Sequence, residues 1–124
     1  MRIQPLHPNF IMPIKGTVTG NWTLTGLGFA AEVPTGHVAL LLPRSSTGAK
    51  HGLELNNTCG VIDADYRGEW KAALKTKSSI PFTWAAGDRV LQFLIVPVAN
   101  VTLELADKLD ESARGSGGFG STNQ

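Results

Sequence analysis

The sequence predicts an all-β domain, an antiparallel barrel or jelly roll of short strands, on three observations. Apolar or alternating runs recur at spacings of roughly 8 to 12 residues, Gly, Pro and Asn separate them, and no amphipathic pattern sustains three helical turns. The 124 residues, 42% of them hydrophobic, suffice for one domain around one core. A net charge of +1 supplies no general pull toward nucleic acid or an anionic membrane, so neither is expected as a partner and any polyanionic ligand must be met by locally placed groups. Cys59 is the single cysteine, which excludes an intrachain disulfide. There is no signal-like start and no apolar run long enough to span a bilayer, so a soluble protein of the cytoplasm, of a cell or of a host cell, is expected.

The elements follow in chain order. "MRIQPLHPNF" carries two prolines and suits an extended or turning arm. "WTLTGLGFA" and "GHVALLLP" are the first strand runs. "SSTGAKH" after Pro43 is predicted to make one or two helical turns with Ser45 as N-cap. "GLELNN" and "CGVID" flank a predicted hairpin bend, and "EWKAALKTK", "IPFTWAAGD", "RVLQFLIVPV" and "VTLEL" continue the strands. "ELADKLDESA" is a second helical candidate. Trp22, Trp70 and Trp84 read as strand aromatics, and His7, His37 and His51 are too scattered for a metal site. His51 beside Lys50 is expected to support the turn that follows Pro43. The end, "ARGSGGFGSTNQ", has the composition of a flexible arm over 113–124, leaving 1–112 as the barrel.

Three polar clusters interrupt the strands. At "LLLPRSSTGAKHG" a strand delivers Arg44, Ser45 and Ser46 together, a guanidinium fork and two hydroxyls suited to phosphate, although on this cluster alone an ordinary N-cap with a solvated arginine is the favoured reading. "NNTCGVIDADYRGEW" places two carboxylates, a tyrosine and an arginine near a bend; Asp63 and Asp65 share a side if the segment stays extended, and a polar turn with an Asp–Arg pair is the plain alternative. In "AAGDRVLQFLIVPV", Gln92 interrupts an apolar strand and would need a buried hydrogen-bond partner, while Asp88 and Arg89 after Gly87 suit a structural turn.

"PRSSTGAKHG", "NNTCGVIDADYRGEW", "GDRVLQFLIVPV" and "RGSGGFGST" resemble, in order and spacing, motifs two to five of the trimeric dUTPases, covering most of residues 40–124. The resemblance implies a jelly-roll-like distorted β-barrel forming a homotrimer with active sites at subunit interfaces, and hydrolysis of dUTP to dUMP and pyrophosphate with Mg2+. On it, Asp63 activates the attacking water and contacts the sugar 3'-hydroxyl. Arg44, Ser45, Ser46 and Gln92 bind phosphate, with Gln92 also near the water. Asn57 and the backbone of Gly60, Val61 and Ile62 read the uracil edge, and a fixed donor–acceptor pair of this kind would leave cytosine unpaired on both sides. Tyr66 packs on the deoxyribose and excludes a 2'-hydroxyl. The arm brings Arg114 to the γ-phosphate and Phe119 onto the base, with Ser121 and Thr122 as added donors, and its glycines let backbone N–H groups wrap phosphates.

One motif departs from the family. The first, of the form A-G-x-D-L, whose aspartate helps hold magnesium through water, has no recognisable counterpart, and residues 1–26 contain no Asp or Glu. Asn9 before Phe10 is the nearest substitute, and the metal is expected to be held mainly by substrate phosphates and water, with reduced affinity. Two other functions are compatible with this scaffold. A related dCTP deaminase branch needs a glutamate base on the strand after motif three, where Glu69 is the nearest carboxylate; a non-catalytic regulatory module would use the scaffold alone.

Overall fold

The computed structural model describes residues 1–8 and 15–120. Ten strands lie among them: β1 (Arg2–Pro5), β2 (Gly16–Val18), β3 (Thr23–Gly26), β4 (Phe29–Glu32), β5 (His37–Pro43), β6 (Leu53–Leu55), β7 (Gly60–Ile62), β8 (Lys71–Thr76), β9 (Phe82–Trp84) and β10 (Leu91–Pro97). Every pairing is antiparallel, in four small sheets ordered β1–β4, β2–β9, β3–β8–β6 and β10–β5–β7. This is the all-β architecture that the short alternating runs predict.

The side-chain period of two places the core. On β8, Ala72, Leu74 and Thr76 point inward while Lys71 faces solvent; on β5, Ala39 and Leu41 point inward. They meet Val18, Leu53, Leu55, Trp70, Trp84 and Val90 in one apolar cluster. Trp70 is fully buried, 4.9 Å from the ring of Phe29 and edge-on to Phe93 at 5.2 Å. Burying each large aliphatic side chain contributes about 1.5–3 kcal/mol, which is why the inward positions, more than strand propensity, fix the register.

Several expectations are corrected. The helical turn expected after Pro43 is present over residues 46–50, as a π-helical turn with Ser45 at the N-cap position, but the Ser45 backbone is helical (φ −56, ψ −38) and its side chain makes no capping hydrogen bond. The segment 101–112 forms neither the strand expected at "VTLEL" nor a helix: Leu103, Leu105 and Leu109 are exposed, and an isolated ten-residue helix is marginal in water. Trp22 precedes β3 and is 55% exposed, and Trp70 precedes β8, so of the three tryptophans only Trp84 lies in a strand. "WTLTGLGFA" divides into β3 and β4 at Gly28, whose φ of +82 a side chain would strain. No helix among the described residues is long and apolar enough to cross a membrane.

Candidate active site

The phosphate-type residues gather at one end of the β5–β10 ladder. Gln92 pairs with Leu42 and Leu91 with Pro43, so the end of β5 and the start of β10 open together. There the Gln92 Nε2 donates to the carbonyl of Pro43 at 3.0 Å, and the Arg44 guanidinium donates to the carbonyl of Arg89 at 2.9 Å. Gln92 is exposed, not buried as an apolar strand suggests, because β10 is the outer strand of its sheet. The pivot is Thr47, which sequence reasoning missed: its buried hydroxyl lies 2.7 Å from the carbonyl of Val90 and 3.1 Å from that of Arg44, tying the turn to β10. Ser45 and Ser46 stand exposed beside it. His51 caps the turn, its carbonyl accepting from the Thr76 hydroxyl at 3.4 Å and its ring packing on Phe82.

The turn pair after Gly87 is structural, as its sequence suggests. The Ala85 N–H donates to the Asp88 carboxylate at 2.8 Å, and the Asp88 N–H returns to the Ala85 carbonyl at 3.1 Å.

The nucleoside-type residues occupy the β6–β7 connection and the turn after it. Asn57 begins the bend, and Thr58 takes a left-handed φ of +75, an uncommon state for a β-branched residue, while Cys59 N–H donates to the Asn57 carbonyl at 2.9 Å. Gly60 lies opposite Leu41; a Cβ there would come within 2.9 Å of the Leu41 Cβ, so close strand packing itself demands glycine. Beyond β7, Val61, Ile62, Asp63, Tyr66 and Lys71 line an open cleft of about 210 Å³. Asp63 and Asp65 do not continue an extended strand: residues 64 and 65 turn, and Tyr66 N–H donates to the Asp63 carbonyl at 3.2 Å. Arg67 donates to the carbonyls of Ala64 and Tyr66, closing this turn through backbone and not through an Asp–Arg pair. Lys71 is the second residue sequence reasoning missed; its signal is its outward register on β8, which starts where the turn ends.

The chain does not bring its two clusters into one cleft. Asp63, one step past the Ile62–Ala39 pair, stands level with Val38, while Gln92 pairs with Leu42 on the other side of β5. Four residues along the strand at ~3.4 Å and two strand spacings across put them roughly 16 Å apart. Arg114 Nε donates to the Gly117 carbonyl at 2.5 Å, and Gly115 N–H donates to Ser112, so among the described residues the hydrogen bonds of 112–117 run within the arm. Phe119 is wholly exposed with φ +46. Ser121, Thr122 and Asn9 lie outside the described residues.

No group of three or more His, Cys, Asp or Glu that could hold a metal occurs among the described residues, and Lys71 shares the cleft of Asp63. These residues do not fit a resident cation site.

A dUTPase family model matches residues 14–123. A deoxyuridine 5'-triphosphate nucleotidohydrolase of Maricaulis maris is 47% identical over 103 residues, 83% of this chain and 68% of that protein. Among solved structures, a Staphylococcus bacteriophage 80alpha dUTPase with dUPNHPP superposes with a TM-score of 0.83 at 22% identity, covering 99% of this chain and 98% of that one. The dUTPase of Streptococcus mutans gives 0.65 at 30% identity, covering 73% and 77%.

Proposed function

The chain belongs to the dUTPase family, and from that premise we propose that it hydrolyses dUTP to dUMP and pyrophosphate as a homotrimer with sites between subunits. The observation that carries the assembled site is the separation just described. One nucleotide must meet its uracil and sugar groups and its phosphate groups within a few ångströms, yet Asn57, Asp63 and Tyr66 lie across the sheet from Arg44 and Gln92. A second copy supplying the other cluster resolves this. Val101, Leu103 and Leu105 support it: they alternate along the sequence after β10 and are 69%, 90% and 102% exposed, apolar surface of the kind a subunit covers. Phe93 and Leu94 on the outer strand β10 are exposed as well.

In the proposed reaction Asp63 takes a proton from a water that attacks the α-phosphorus. The new P–O bond forms as the bond to the bridging oxygen breaks, and pyrophosphate leaves with that electron pair. Arg44, Ser45, Ser46 and Gln92 donate to the phosphate oxygens as charge develops. Asn57 with the backbone at Gly60, Val61 and Ile62 selects uracil, and Tyr66 faces the deoxyribose. Residues 113–124 act as an arm on the 1–112 barrel, Arg114 reaching phosphate and Phe119 the base, with Ser121 and Thr122 adding donors. Magnesium, the metal the family resemblance implies, would take its ligands from the triphosphate and water, and no step above is routed through it.

Glu69 weighs against deamination. Its carboxylate accepts the Gly28 N–H at 3.0 Å in a half-buried position, which commits it to the scaffold and away from a base's role. The test is to offer the purified protein each deoxynucleoside triphosphate with magnesium and to measure pyrophosphate and ammonia. Pyrophosphate from dUTP alone is expected; ammonia from dCTP, or binding without product, overturns the proposal. Light scattering should give the mass of three 13.2 kDa chains, about 40 kDa.

A further inference from the structure

We propose that Gly68, together with the backbone carbonyl of Glu69, sets the sugar discrimination of this site by fixing the ring of Tyr66; the inference rests on the reading of Tyr66 as the residue facing the deoxyribose. The Tyr66 hydroxyl donates to the Glu69 carbonyl at 2.8 Å, so the side chain folds back over its own turn instead of extending into solvent. That posture needs an empty place at position 68. A Cβ built on Gly68 would stand 2.5 Å from the Tyr66 hydroxyl oxygen and 2.7 Å from the ring carbon that bears it, closer than real side chains approach.

Gly68 is not among the positive-φ glycines, so its backbone would accept alanine and only the ring forbids it. The tether is held at its far end as well. The Glu69 carboxylate accepts the Gly28 N–H at 3.0 Å and lies against Gly26, where a Cβ would collide with it, so the acceptor carbonyl belongs to a residue anchored to the β3–β4 link. Gly68 and Glu69 are therefore positioning residues: they touch no reacting atom and act through where they hold an aromatic ring beside Asp63. A ring set by a hydrogen bond and an absent methyl group has one resting place, and excluding a 2'-hydroxyl requires a wall that does not yield.

The experiment compares kcat/KM for dUTP with that for UTP in Gly68→Ala, Tyr66→Phe and Tyr66→Ala, alongside the thermal midpoint of each nucleotide-free protein. Gly68→Ala displaces the ring and Tyr66→Phe releases its tether. Each is expected to lower the dUTP-to-UTP ratio by roughly tenfold with the midpoint little changed, a selectivity loss that a merely structural role would not produce. If Tyr66→Ala collapses the ratio while Gly68→Ala and Tyr66→Phe keep it, this proposal fails and the sugar-facing role of Tyr66 stands. A ratio untouched by Tyr66→Ala overturns that role and this inference with it. Should Gly68→Ala not fold, Tyr66→Phe decides alone.

Discussion

Tyr66 and Phe119 are two aromatic rings proposed for one nucleoside, and the chain treats them in opposite ways. Tyr66 is 41% exposed, tied through its hydroxyl and set in a turn closed by Arg67 and by its own N–H. Phe119 has no cover, in a stretch whose hydrogen bonds close on themselves. The hairpin spends its backbone groups and glycines on one geometry before any ligand arrives. The segment after residue 113 has glycines at 115, 117, 118 and 120, and in the proposed role of an arm its ordering, at roughly 1–2 kcal/mol per residue, would be met on binding. A preformed wall suits selectivity, whereas an unformed cover suits entry and release.

The sharpest way to break this contrast is on the preformed side. Asp63→Asn keeps the shape of the turn but removes the base, so turnover should fall by ~10³-fold or more while nucleotide affinity changes only a few-fold. Single-turnover kinetics beside calorimetric binding checks it, and unimpaired turnover would take Asp63 out of its role. Deleting residues 113–124 should come next, lowering kcat/KM by roughly a hundredfold with the thermal midpoint of the nucleotide-free protein unchanged. A large drop in that midpoint would mean that the arm is part of the barrel. The smallest effect is expected from Phe119→Ala, about tenfold in kcat/KM for the loss of one stacked base, again with no change in melting.

The local pieces of the site were legible because each is contiguous. "NNTCGVIDADYRGEW" holds a complete hairpin wall, and its residues 61–63 and 66 do line one cleft. What failed were inferences that needed a neighbour. Gln92 was expected to be buried, since an apolar strand looks the same in a string whether it is central or at a sheet's edge; β10 is at the edge. "ELADKLDESA" resembles a helix by composition, but its Leu105 and Leu109 are left exposed, with no apolar partner to hold a helix. Thr47 was passed over because a threonine in a polar turn carries no mark that its hydroxyl will span to Val90.

By itself the sequence determined the class of fold, through apolar positions alternating at the period of a pleated strand, and the chemistry, through residue types grouped within single loops. Tertiary structure decided where those groups stand. The β10–β5–β7 order sets Asp63 and Gln92 on opposite flanks of one strand, and the register of Ile62 on Ala39 and Gln92 on Leu42 holds them apart. The physical reason is that a ladder pairs residues distant in sequence, and its register follows from which side chains fill a shared core; no local stretch of the chain contains that information.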